Sequence, residues 1–159
     1  MLRFSKVTFL FALIFAWAAH AEPVYILIDD SGSMDDRRKQ LAATQALTQE
    51  LEELAAETNV SINLFGGENG GDCSSDIRIN DLKPLSTFDR SEVSPSPSGF
   101  TPLAAAIGQT LLEVDGTKAT IIVIGDAEDS CGVDICTLVP PLLNRQPDVD
   151  LRFVLSEPS

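Results

Sequence analysis

Apolar positions along the chain follow two periods. Residues 24–28 form a short unbroken run rich in β-branched side chains, the pattern of a strand buried on both faces. Residues 35–57 carry Leu47, Leu51 and Leu54 on one face with Ala43 and Ala55 nearby, which predicts an amphipathic helix. Val60, Ile62 and Leu64 alternate with polar residues and lead into Phe65, a second strand. The glycines of 66–75 predict a loop. Residues 77–85 alternate imperfectly and predict a more exposed strand near an edge. A second loop, SPSPSG, covers 94–99, and a helix follows over 102–114 with Leu103, Ile107, Leu111 and Leu112 inward. Residues 120–124 are again unbroken and apolar. A helix over 134–144 is weakened by Pro140 and Pro141. An alternating strand over 149–155 closes the pattern.

The order is strand, helix, strand, strand, helix, strand, helix, strand. It predicts an α/β fold: a doubly wound, mostly parallel sheet with helices on both faces. Ligands of such sheets bind at the carboxyl ends of strands where the strand order reverses. The two most apolar strands end in DDSGS, residues 29–33, and DAED, residues 126–129. Both acidic clusters therefore fall where a ligand is expected.

The front of the chain changes the accounting. Residues 1–6 hold Arg3 and Lys6 and no acid, 7–18 are almost wholly apolar, and Ala19-His20-Ala21 has the small-residue pattern of a cleavage site. The apolar run is too short to span a bilayer. We therefore expect a signal peptide over 1–21, one domain over 22–159, no transmembrane segment in the mature chain, and a periplasmic or secreted location. Loss of Arg3 and Lys6 takes the formal charge from −13 to −15. That balance argues against nucleic acid as a partner. Cys73, Cys131 and Cys136 all lie beyond the leader, where disulfides are permitted. Cys131–Cys136 is the favoured disulfide because it is local, with the loop of Cys73 expected on the same face. Thiolate ligation of zinc does not fit the spacing.

Hydroxyls and carboxylates suit hard cations rather than zinc or copper. Asp29, Ser31 and Ser33 at spacing two can face one ion from an extended turn, and Gly32 lets the backbone curl. Taken alone, residues 29–33 also read as a helix cap, and Thr101-Pro102 as an N-cap and first-turn pair. Asp30 reads as a solvated filler. Glu128 and Asp129 read as loop capping or local field rather than ligands.

DDSGS resembles the D-x-S-x-S motif of von Willebrand factor type A domains. SGFTPLAAAI, residues 98–107, is similar to that family's threonine segment, and IIVIGDAEDSCG, residues 121–132, to its aspartate segment. The segments GDCSSDI and DSCGVDIC are similar to those of bacterial exported members. The resemblance covers roughly residues 24–155 and implies a metal-ion-dependent adhesion site. Ser31, Ser33 and Thr101 would contact the ion, and Asp29 and Asp126 would act largely through water. It implies a divalent cation, Mg²⁺ first, with Ca²⁺ or Mn²⁺ as alternatives. A protein partner would supply a carboxylate to the ion, and no catalysis is implied. Relative to the family the chain is C-terminally short, without the usual last helix and strand.

Two alternatives compete. One is a Mg²⁺-dependent phosphotransfer hydrolase with Asp29 as nucleophile and Asp126 and Asp129 on the metal. Sites of the haloacid dehalogenase type want a second acid where Ser31 stands, and no lysine is expected near Asp126 to balance a phosphate. The other is an interaction domain with a vestigial metal site.

Overall fold

A computed structural model describes residues 21–67, 73, 77, 79–126 and 128–155. The leader assigned to 1–21 lies outside the described residues apart from Ala21. The tail 156–159 and most of the loop 66–75 do too.

Strand β1 (Val24–Asp30) is buried along its whole length. Parallel β2 (Asn59–Gly66) lies on one side of it and parallel β4 (Ala119–Gly125) on the other. Strand β5 (Val149–Leu155) runs parallel to β4, and the two-residue β3 (Lys83–Pro84) is antiparallel to β2. The order is β3-β2-β1-β4-β5. The chain steps to one side of β1, then returns to the other, so the order reverses between β1 and β4.

Side-chain alternation divides the core between two faces. Val24, Ile26 and Ile28 pack with Ile122 and Ile124 beneath Ala43 and Leu51 of α1 (Arg37–Glu52). Tyr25, Leu27, Ile121 and Val123 pack beneath α2 (Leu103–Val114) and Val139 of α3 (Ile135–Leu143). Burial on both faces explains why β1 and β4 read as unbroken apolar runs.

The structure departs from the sequence pattern in three places. Helix α1 starts at Arg37, because Asp36 caps it through Oδ1 to the N–H of Arg38 (2.7 Å), and it ends at Glu52 rather than residue 57. Beyond it, the carbonyls of Ala56 and Thr58 accept from Ser86 and Leu85. The strand expected over 77–85 shrinks to β3. The residues before it are held by side chains instead. Asn80 accepts from Ser61 Oγ and donates to Asn63 Oδ1 and the Ile62 carbonyl. Single-turn 3-10 helices at Leu85–Thr87 and Arg90–Glu92 continue that connection. Leu112 of the helix over 103–114, expected inward, is 76% exposed, whereas helix α3 forms as expected with both prolines inside it.

Candidate metal centre

The carboxyl end of β1 turns immediately after Asp30 into a single-turn 3-10 helix, Gly32–Met34. Ser31 is fully buried, and its N–H donates to Asp29 Oδ1 at 2.9 Å. The hydroxyls of Ser31 and Ser33 lie 3.0 Å apart and share a hydrogen bond. The two hydroxyls come together on a 3-10 turn and not on the extended turn expected.

The threonine segment is pinned against this turn from two sides. Gly32 N–H donates to the Gly99 carbonyl (3.1 Å), and Ser98 N–H to the Asp30 carbonyl (3.0 Å). Thr101 is buried. Its N–H donates to Ser130 Oγ at 2.7 Å, and its carbonyl accepts from Ser130 N–H at 3.2 Å. Asp129 joins the same junction: Oδ2 accepts from Ala104 N–H in the first turn of α2, and Oδ1 from Cys131 N–H. The expected capping pair is not used, since Pro102 holds the N-cap position of α2 without a side-chain bond. Asp129, from another loop, supplies the acceptor that Thr101 was expected to give.

Asp126 follows Gly125 at the end of β4. A Cβ on Gly125 would lie 2.6 Å from Asp29 Cβ and 3.0 Å from its Oδ2, so the two strand ends meet only because residue 125 has no side chain. Asp126 Oδ2 accepts from Lys39 Nζ at 3.0 Å. Burial pushes the Asp29 carboxyl up to about 6; hydrogen bonds from Ser31 oppose the shift, and the neighbouring Asp126 adds to it. Burial also acts to raise Asp126, but the Ser33 hydroxyl, the Lys39 ammonium and the Glu128 N–H together hold it below the ordinary carboxylate value.

The structure thus gathers Asp29, Ser31, Ser33 and Asp126 at the strand ends and ties Thr101 to the same junction. It corrects three sequence expectations. Asp30 is buried rather than solvated, because 66–67 and 98 close over it; a Cβ on Gly67 would lie 2.7 Å from its Oδ2. A lysine does stand by Asp126: Lys39 arrives from α1, 87 residues away in sequence. Asp129 accepts from the N–H groups of Ala104 and Cys131, the loop capping expected of it. The disulfide joins Cys73 to Cys131, and Cys136 is a free, exposed thiol. The physical reason is topological: β2 and β4 both flank β1, so the loops leaving their carboxyl ends share one edge of the sheet. Cys136 is instead held in the first turn of α3, where Asp134 accepts from its N–H. Lys39 and Ser130 are the site residues that sequence reasoning missed. No local pattern marks a residue that arrives from a distant helix.

Among the described residues no group of three or more His, Cys, Asp or Glu could hold a metal. The donors here are two carboxylates and hydroxyls, which suits a hard cation and not a soft one. Asp29 Oδ2 is buried without a hydrogen-bond partner. A buried, unsatisfied acceptor of this kind costs about 1–3 kcal/mol. An ion or its bound water would satisfy that oxygen, so the residues fit a divalent cation.

No protein-family model matches the chain. The uncharacterized protein YwmD of Bacillus subtilis is 31% identical over 148 residues, spanning 82% of this chain and 66% of that protein. The ArnB paralog VWA2 from Sulfolobus acidocaldarius superposes with a TM-score of 0.63 at 19% identity, over 85% of this chain and 34% of that one. The manganese-loaded TRAP protein of Plasmodium vivax gives a TM-score of 0.54 at 19% identity, over 86% and 57%. The chain therefore spans a third to just over half of these solved chains. It has the von Willebrand factor type A fold.

Proposed function

We propose that this chain is an exported protein-binding domain that depends on a divalent cation. Ser31, Ser33 and Thr101 hold the ion, and Asp29 and Asp126 act on it largely through water. The observation that carries this reading is the orphaned, buried Asp29 Oδ2 beside the paired Ser31 and Ser33 hydroxyls. The manganese of the TRAP neighbour supports a divalent ion in a domain of this fold. Mg²⁺ is the first choice, with Mn²⁺ or Ca²⁺ as alternatives that also take hard oxygen donors.

When bound, the ion would supply a positive point on an otherwise acidic surface, suited to a carboxylate from a partner protein. The chain's own residues prepare that point. Ser31 N–H fixes the Asp29 rotamer, the Ser130 bonds fix Thr101, and Gly125 admits Asp29 to the junction. Export is supported by the basic-then-apolar leader and by the Cys73–Cys131 disulfide, which suits an oxidising compartment. No helix among the described residues is long and apolar enough to cross a membrane.

Calorimetric titration with Mn²⁺ tests the ion. One saturable site is expected in the chain, and none in the Ser31→Ala/Ser33→Ala double variant, with its unfolding midpoint retained. Absence of saturable binding to the unsubstituted chain would sink the reading. Recovery of a partner from envelope extract is expected with Mg²⁺ and not with chelator.

Lys39 beside Asp126 lends the phosphotransfer alternative one ingredient it lacked in the sequence. Asp29 is only 3% exposed, which is poor access for a nucleophile. Mg²⁺-dependent phosphatase turnover that disappears in Asp29→Asn would displace the binding reading.

A further inference from the structure

Lys39 is the third residue of α1, where the helix dipole disfavours positive charge. Its two basic neighbours stay outside: Arg37 is exposed, and Arg38 pairs with Asp36 at the surface. Lys39 alone turns inward. Its Nζ reaches Asp126 Oδ2 at 3.0 Å, with the lysine side chain one-quarter exposed and the carboxylate one-tenth exposed. Glu128 and Asp29 add to the negative field around it. The other oxygen of Asp126 accepts the Glu128 N–H at 3.4 Å. Both oxygens are therefore engaged, and the charge is balanced by a cation that the chain itself carries.

A divalent ion at the same strand ends would compete with that ammonium for Asp126. Like charges a few ångströms apart in a partly buried site repel strongly. We propose that Lys39 is a tethered counter-ion that sets the cation affinity of the site, and that a divalent ion gains Asp126 only by displacing its ammonium. This inference rests on the cation-binding reading above and adds its regulation. The site loads when the ion gains more at Asp29, Asp126 and the hydroxyls than is lost with the Lys39 pair. A monovalent ion brings no more charge than Lys39 already supplies, so the lysine also selects for dications.

The test is Mn²⁺ binding by calorimetry to the full chain, to Lys39→Met, which keeps the aliphatic stem, and to Lys39→Arg, which keeps the charge. Lys39→Met is expected to bind Mn²⁺ about tenfold to a hundredfold more tightly, while Lys39→Arg stays near the unsubstituted chain. Without divalent ions, Lys39→Met is expected to unfold at a lower temperature, because Asp126 loses its partner, and Mn²⁺ is expected to restore it. Lys39→Gln serves as a second neutral variant should Lys39→Met not fold. Unchanged or weaker Mn²⁺ binding by both neutral variants, in a chain that itself binds Mn²⁺, overturns the counter-ion role and leaves the metal site standing. No binding by any of them overturns both.

Discussion

Gly125 leaves the space that Asp29 fills: a Cβ at 125 would stand 2.6 Å from Asp29 Cβ. Neither atom can retreat easily, since both belong to adjacent parallel strands, paired through Ile28 and Ile124. Gly125→Ala is therefore expected to destabilise the chain by about 1–3 kcal/mol, the usual cost of overpacking, and to abolish cation binding. Gly108, inside α2, has nothing within 4 Å of its would-be Cβ. Gly108→Ala is expected to stabilise by about 0.5–1 kcal/mol through helix propensity. Urea unfolding of both variants checks the pair.

The raised Asp29 carboxyl gives a pH dependence of defined sign. A carboxyl held at about 6 in the folded chain binds its proton more tightly folded than unfolded. Without divalent ions, stability should rise as pH falls from 7 towards 4, by at most about 3 kcal/mol. Asp126, held low, acts in the opposite sense at lower pH, where its protonation costs stability. Cation affinity should fall as pH drops through about 6, because the ion requires ionised Asp29. Asp29→Asn is expected to flatten the stability profile between 4 and 6. Unfolding midpoints across that range, with chelator present, measure it.

Asp129 acts through the backbone, capping α2 at Ala104 and the turn at Cys131. Asp129→Ala is expected to cost about 1–2 kcal/mol and to weaken Mn²⁺ binding by loosening the junction that holds Thr101. Asp129→Asn, which keeps an acceptor, is expected to recover part of both. An unchanged Mn²⁺ affinity in Asp129→Ala would separate the cap from the site.

The Cys73–Cys131 bridge spans a sequence separation of 58 and closes a segment that holds α2 and β4. Reduction, or Cys73→Ser, is expected to cost about 4 kcal/mol on the chain-entropy account. Cys136→Ser should be nearly neutral, since that thiol is exposed. Alkylation of the native chain should label one cysteine, Cys136, identified by peptide mass.

Much of the fold was legible in the sequence because burial leaves a pattern. β1 and β4 announce themselves as unbroken apolar runs, since helices cover both sides of each. The segment 77–85 misled because Asn80 and its side-chain bonds to Asn63, Ser61 and Ile62 replace a strand ladder, and such bonds have no period. The lysine that the phosphotransfer alternative lacked reaches Asp126 by the same kind of contact.

The sequence by itself determined the α/β order of elements and the placing of Asp29 and Asp126 at the carboxyl ends of the two most apolar strands. Local spacing and hydrophobic period are properties of neighbours in the chain. Tertiary structure alone decided which groups face each other across the strand ends. It buried Asp30, brought Lys39 to Asp126, set Ser130 against Thr101, and joined Cys73 rather than Cys136 to Cys131. Each of those contacts bridges segments that only the order β2-β1-β4 makes adjacent, and no spacing along the chain encodes that order.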